Sequence, residues 1–134
     1  MTHKNQSILF ATIAIICEII IVKINSPLRN FVPVIWAGYG FVFHAVLFFI
    51  YWMQTNKQLI TNYKDLLNNL HISVYKMGYK ERIDMLVLLT HKELASSVDN
   101  ETKAGLKSIK FYLRLVYISF VVIILLAIST ILIK

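Results

Sequence analysis

Three long apolar stretches, nearly free of charged residues, dominate the pattern of hydrophobic and polar positions along the chain. They cover residues 7–24, 31–53 and 111–133, and the most apolar part of the third begins at Leu115. Each is close to the roughly 20 residues that an α-helix needs to cross the hydrocarbon core of a bilayer. The pattern therefore predicts three transmembrane helices.

The polar segment between the second and third stretches, residues 54–110, also carries a helical pattern. Its apolar residues recur every three or four positions, which predicts a helix from about residue 56 to residue 77. The residues of this stripe are Leu59, Tyr63, Leu66, Leu70, Val74 and Met77. Gly78 interrupts the pattern, and a second helix is predicted from Lys80 to about Ala95.

A group of turn formers follows at Ser96, Ser97, Asp99 and Asn100, and Asn100 is the predicted cap of a helix continuous with the third span. The predicted fold is thus an all-α integral membrane protein. A single membrane domain comprises residues 1–134, with a basic helical segment between the second and third transmembrane helices.

Composition and charge support a membrane location. Hydrophobic residues make up 57% of the chain and charged residues 16%, far from the shares usual in soluble domains. The net charge is +7, but the basic residues flank apolar spans. Anionic lipid headgroups are therefore the expected partner, and nucleic acid is not.

The basic residues also predict the orientation of the chain. One side of the predicted membrane holds Lys4, Arg114 and the nine Lys and Arg residues of segment 54–110, a total of 11. The other side holds three: Lys23, Arg29 and Lys134. Since cytoplasmic loops carry the excess of Lys and Arg, the amino terminus and the long segment are expected in the cytoplasm, with the carboxy terminus outside.

Motifs for catalysis, metal binding or cofactor binding are missing from the sequence. It has no phosphate-binding glycine loop, no HExxH and only one cysteine, Cys17. We therefore expect a protein that is not an enzyme and that has no metal or cofactor site.

Glu18 is the most informative polar residue because it interrupts the first apolar stretch. A charged side chain at mid-helix costs roughly 2.5 to 3.5 kcal/mol on insertion scales, so such residues have a functional or structural role. One hypothesis is a carboxylate that handles protons or cations inside a helix bundle. The other is a structural role, either as a protonated acid that hydrogen bonds between helices or as an acid close enough to the outer surface to reach water.

Tyr39 and His44, both in the second span, are the candidate polar partners of Glu18. Glu18 lies about 9 Å below the outer end of its span and Tyr39 about 9 Å below the end of the second, at 1.5 Å per residue. His44 lies about 16 Å below that end. We therefore expect Glu18 to face Tyr39. The spans offer no second clear haem ligand, which favours a hydrogen-bonded histidine over ligation.

Small residues in the second span form a predicted helix-packing region. They are Ala37, Gly38, Gly40 and Ala45. Small side chains let helix backbones approach closely in membranes, either within one chain or between copies.

Pro33, Gly38, Gly40, His44 and Ala45 follow an apolar helix and a short turn, and this arrangement resembles the bacterial 2TM domain family. The second helix of that family opens with P-x4-G-x-G-x3-H-A. The resemblance covers about residues 7–53, and Ala37 stands where the family usually has Trp. It implies a hairpin of helices in the bacterial inner membrane, sometimes attached to signalling proteins, without established catalytic activity.

Three functional hypotheses follow. The first is a nonenzymatic accessory, regulatory or effector subunit that acts through helix association, either as a homo-oligomer or with a membrane-protein partner. The second is a small oligomeric channel or proton-coupled transporter that uses Glu18. The third is an immunity or phage-defence membrane protein.

Overall fold

The computed structural model describes residues 2–24 and 26–133, most of which are helical. Helix α1 spans His3–Lys23 and begins at the cap residue Thr2, whose side chain accepts a hydrogen bond from the backbone N–H of Asn5. A 3₁₀ turn, Pro27–Phe31, opens the second helical run. That run consists of α2 (Val32–Trp36), a π-helical segment (Ala37–Phe43) and α3 (His44–Asn62).

The segment that follows α3 contains short elements instead of two long helices. These elements are α4 (Lys64–Asn69), β1 (Val74–Met77), β2 (Lys80–Ile83), α5 (Met85–Thr90) and α6 (Lys92–Ser97). The predicted helices from residue 56 to residue 77 and from Lys80 to Ala95 are therefore wrong, and the chain is not entirely α-helical.

Helix α7 (Asn100–Leu132) completes the chain's three long helical runs. The runs His3–Lys23, Pro27–Asn62 and Asn100–Leu132 are each long and apolar enough to cross a membrane. The prediction of three such helices is thus confirmed among the described residues.

The two strands form an antiparallel hairpin with a two-residue turn. Its register pairs Val74 with Ile83 and Met77 with Lys80, so Gly78 and Tyr79 form the turn. Gly78 has a φ of 65° and Tyr79 does not have a positive φ. A positive φ at the first central position alone is the type II′ geometry, which favours glycine there and matches the twist of paired strands.

Helix α4 stops before the apolar stripe ends because its last turn forms a Schellman motif. The N–H of Ile72 donates to the Leu67 carbonyl at 2.9 Å, and the N–H of His71 donates to the Asn68 carbonyl at 3.0 Å. His71 takes the left-handed conformation, with a φ of 53°. Ile72 and Leu67 are both buried, as the apolar contact of this motif requires. The backbone then turns into the hairpin.

Asp99, not the predicted Asn100, caps α7. The Asp99 carboxylate accepts a hydrogen bond from the backbone N–H of Thr102 at 2.9 Å, the third residue of the helix. Hydrogen bonds from the side chain and backbone of Thr102 hold the pKa of Asp99 below its ordinary value. The Tyr63 hydroxyl accepts the N–H of Asp99 at 3.0 Å and ties the cap to the end of α3.

The chain divides into two compact units. The bundle unit comprises the described residues of 1–46 and 111–134, and the hairpin unit comprises residues 47–110. In the bundle unit, many exposed residues are large and apolar, as lipid-facing helices require. The hairpin unit has a core of its own, formed by residues that include Leu59, Leu67, Ile83, Leu88, Leu94 and Ile109.

The π-helical segment keeps four buried residues on the same face of the second helical run. Val32, Trp36, Gly40 and His44 are all buried and are spaced four residues apart. In a regular α-helix every fourth residue advances by about 40° around the axis, so three such steps would turn the face by about 120°. The wider turns between Ala37 and Phe43 reduce this rotation and leave the four residues on one buried face.

Candidate functional site

Glu18 makes its hydrogen bond with helix α7. The hydroxyl of Ser129 donates to Glu18 Oε1 at 2.8 Å, and both residues are half-buried. A second polar pair joins the same two helices close to the start of α1, where the Tyr112 hydroxyl donates to Gln6 Oε1 at 2.8 Å. The polar side chains of α1 thus connect α1 to α7.

Tyr39 does not lie opposite Glu18, and the expected contact between them is wrong. Tyr39 packs against Trp36, which in turn packs edge to face on Phe10 with ring centroids 4.9 Å apart. Phe10 precedes Glu18 by about 12 Å along α1. The estimate failed because it assumed that both spans begin at the same depth, whereas the 3₁₀ turn Pro27–Phe31 packs back against α1.

His44 lies in an aromatic cluster of the bundle unit and is only 3% exposed. The rings of Phe10, Tyr39 and Phe43 have their centroids 5.2, 5.5 and 5.2 Å from that of His44. Its Nδ1 lies 2.9 Å from the Gly40 carbonyl oxygen. Because that oxygen can only accept, Nδ1 carries the proton, which fixes the ring's orientation. The structure therefore brings Tyr39 and His44 together, apart from Glu18.

The small residues of the second span differ in their surroundings. A Cβ added to Gly40 would lie 2.6 Å from Trp36 Cε2 and 2.9 Å from the hydroxyl oxygen of Ser119. The Trp36 indole N–H also donates to the Ser119 carbonyl at 3.3 Å. Gly38 is exposed, with nothing near the position of its missing Cβ. Gly40 is thus the point of close packing.

Ala37 and Ala45, the other two members of the predicted packing region, are half-buried. They lie on either side of Gly40 along the helical run. The region therefore combines one closely packed position, two partly covered positions and the exposed Gly38.

The hairpin unit contains a basic cleft between α3 and the hairpin. The cleft has a volume of about 690 Å³. Lys57 lines it from the helix, and Lys76, Lys80 and Arg82 line it from the strands, with Glu81 the one acidic residue among its lining residues. The fully exposed Tyr79 stands at the rim. The arrangement suits an anion.

Asn56 fixes the hairpin wall of this cleft to α3. Its Oδ1 accepts the backbone N–H of Ile83 at 2.7 Å, and its Nδ2 donates to the Trp52 carbonyl at 3.1 Å. The guanidinium carbon of Arg82 lies 5.5 Å from the centroid of the Trp52 ring, a cation–π distance. Helix and hairpin are therefore held together on the side from which Arg82 enters the cleft.

Among the described residues, no three His, Cys, Asp or Glu side chains are grouped so that they could hold a metal ion. Cys17 is buried, and His91 uses Nδ1 to accept the N–H of Leu94 at 3.3 Å. The His91 side chain thereby caps helix α6.

Sequence reasoning missed several residues that position these sites. A Cβ on Gly105 would lie 2.5 Å from the hydroxyl oxygen of Thr55, so Gly105 allows α7 to approach α3. The signal for this contact was the presence of a glycine within a helix, where its low propensity needs a packing reason. Asn56 gave no comparable signal, because its partner, Ile83, lies 27 residues away in a strand that was predicted to be helical.

In the comparison with known proteins, no protein family, curated protein or solved structure matches the chain.

Proposed function

We propose that this chain is a nonenzymatic accessory, regulatory or effector subunit of the bacterial cytoplasmic membrane and that it acts through helix association. The half-buried pair of Glu18 and Ser129 carries the proposal. The neighbouring side chains on α1 are exposed and apolar, among them Ile15 and Ile19. A polar pair within such a surface favours contact with another membrane helix.

The reason is the hydrogen-bonding capacity of a carboxyl group. Its two oxygens offer more acceptor sites than the single Ser129 hydroxyl fills, and unsatisfied polar atoms are costly in hydrocarbon. A helix from a second copy, or from another membrane protein, would exclude lipid from Glu18 and supply further polar contacts. Association would therefore stabilise the region around Glu18.

Mass determination after purification in a mild detergent tests this proposal. We expect a particle that contains more than one 15.5 kDa chain or a second protein. Glu18→Leu should weaken the association, whereas Glu18→Gln, which keeps hydrogen-bonding capacity, and the apolar control Ile15→Leu should preserve it. A monomer with no partner, both in detergent and in lipid nanodiscs, would contradict helix association.

The rival function is an oligomeric channel or proton-coupled transporter, and the position of Glu18 within an apolar helix favours it. Proteoliposomes that contain the purified chain separate the two functions. If Glu18 moves protons or cations, the wild type should conduct them and Glu18→Gln should fold normally but conduct none. If Glu18 is structural, Glu18→Gln should leave folding and association intact.

The orientation belongs to the same proposal. The amino terminus and the segment 54–110 face the cytoplasm, and the carboxy terminus faces outward. The distribution of Lys and Arg supports this orientation, because positive residues are retained on the cytoplasmic side. Anionic headgroups of the inner leaflet are then the expected lipid partner of the basic segment.

A further inference from the structure

We propose that the basic cleft of the hairpin unit binds the phosphate-bearing headgroup of an anionic phospholipid. Lys57 lines the cleft from α3, and Lys80 and Arg82, which share one face of β2, line it from the hairpin. Lys76 also lines the cleft and lies across the strands from Glu81 on the other face. All four basic residues are hydrogen-bond donors with a positive charge, which is the chemistry that phosphate oxygens require. The excess of basic over acidic residues in the cleft favours an anion over a zwitterion.

The size of the cleft fits this ligand. A volume of about 690 Å³ exceeds what a single phosphate needs and lies within the range of roughly 300 to 1,000 Å³ typical of small-molecule sites. Gln54 and Thr61 add neutral polar groups to the walls, which suits the hydroxyls of a glycerol headgroup.

An apolar strip that leads into the cleft distinguishes a lipid from a soluble phosphate. Met53 lines the cleft and is 43% exposed. Phe49 and Ile50 precede it by one helical turn and are 50% and 39% exposed. Residues three and four apart share a helix face, so the strip continues directly from the cleft along α3. A phospholipid would place its phosphate among the basic residues and an acyl chain along this strip.

Arg82 is held in place before any ligand arrives. Its guanidinium lies over the Trp52 ring, and the next residue, Ile83, is fixed by Asn56. A basic group that is already positioned loses less conformational freedom on binding, which favours a specific site over diffuse attraction.

Native mass spectrometry of the full chain in detergent tests the proposal with phosphatidylglycerol, phosphatidylcholine and ATP as separate probes. We expect one phosphatidylglycerol to bind in preference to phosphatidylcholine. Lys57→Gln combined with Lys80→Gln should weaken phosphatidylglycerol binding about thirtyfold, because each Lys near anionic lipid contributes about 1 kcal/mol. The matched control combines Lys64→Gln with Lys107→Gln, two exposed lysines of the same unit that lie outside the cleft.

Each outcome decides the matter. Selective phosphatidylglycerol binding that the cleft variant loses and the control keeps would support the site. Equal losses in the two variants would mean that general surface charge attracts the lipid, and equal binding of the two lipids would exclude headgroup recognition. Binding of ATP without phosphatidylglycerol would replace the lipid with a soluble phosphate ligand and overturn the proposal.

Discussion

The buried side chain of Asn56 completes the backbone hydrogen bonding of Ile83, which lies 27 residues further along the chain. Ile83 is itself fully buried, at the end of β2. A two-stranded hairpin is marginally stable alone and needs packing against another element. This hydrogen bond and the burial of Ile83 supply that support from α3.

The first prediction concerns this hydrogen bond. Asn56→Ala should destabilise the hairpin unit by about 1–3 kcal/mol, because the buried N–H of Ile83 loses its partner. Hydrogen exchange measured by mass spectrometry should show faster exchange across β1 and β2. Asn68→Ala removes an exposed amide from α4 and should leave the exchange unchanged. Equal exchange in the two variants would show that the Asn56 contact does not hold the hairpin.

The second prediction compares two glycines in the π-helical segment. Gly40→Ala should destabilise the bundle unit by about 1–3 kcal/mol, since the new methyl group would overlap the Trp36 ring and the Ser119 hydroxyl. Gly38→Ala meets open space and should be neutral, or stabilising by up to about 1 kcal/mol through helix propensity. Thermal unfolding in detergent can be followed by tryptophan fluorescence. A larger loss at Gly38 would contradict the observed packing.

The third prediction revises the apolar stripe of α4. Leu67 is 1% exposed, whereas Leu66 and Leu70 are half-buried. Leu67→Ala should therefore cost about 2–5 kcal/mol of unfolding free energy, and the same change at the other two positions should cost less.

Aspartate substitutions extend this comparison to charge. Leu67→Asp should be the most damaging, Leu66→Asp and Leu70→Asp intermediate, and Asn68→Asp the best tolerated. Proteolysis of the folded chain under increasing denaturant would rank them. Equal tolerance at all four positions would mean that this face of α4 is not packed.

The fourth prediction concerns the cap of α7. Because the folded-state pKa of Asp99 is lowered, its ionised form stabilises the cap above the unfolded-state pKa of about 3.9. That stabilisation is lost as the pH falls through the folded-state pKa. Asp99→Asn keeps an acceptor but does not titrate, so its unfolding temperature should fall less steeply with acidification. The control Glu93→Gln should retain the wild-type slope.

The fifth prediction is the membrane topology. With Cys17 replaced, a single cysteine at Asn68 should be labelled from the cytoplasmic side and one appended after Lys134 from the outside. The unequal distribution of Lys and Arg is the reason for this expectation. Impermeant reagents applied to intact cells and to inverted vesicles would distinguish the two positions. Labelling of both from one side would overturn the three-span topology.

The long helices were predictable because each depends on a continuous local property of the sequence. A helix that crosses the hydrocarbon core needs some 20 apolar residues in succession. Such a run can be recognised without knowing which distant residues pack against it. The hairpin was not predictable from the stripe, since spacings of three and four residues also occur by chance where a strand follows a helix. Gly78 marked the break correctly, but its positive φ showed only in the structure.

The polar contacts were harder to predict, because they depend on how the helices are displaced along one another. Glu18 was recognised as unusual because it interrupts an apolar stretch, but its partner, Ser129, could not be identified from the sequence. The estimate of how deep Glu18 and Tyr39 lie compared only the first and second spans and left out the third, which carries Ser129. A hydroxyl three residues from the end of an apolar helix carries no local signal that it faces a carboxyl group on another helix.

The π-helical segment lets the second helical run hold one more residue between Trp36 and His44 than regular α-helical winding would. A π turn holds one more residue than an α turn, so deletion of one residue between Ala37 and Phe43 would favour ordinary α-helical winding. Seven α-helical steps turn by about 700°, so His44 would still lie on the same face as Trp36 after the deletion. Homologous chains that have one residue fewer between Trp36 and His44 should therefore keep this buried face and wind the stretch as regular α-helix.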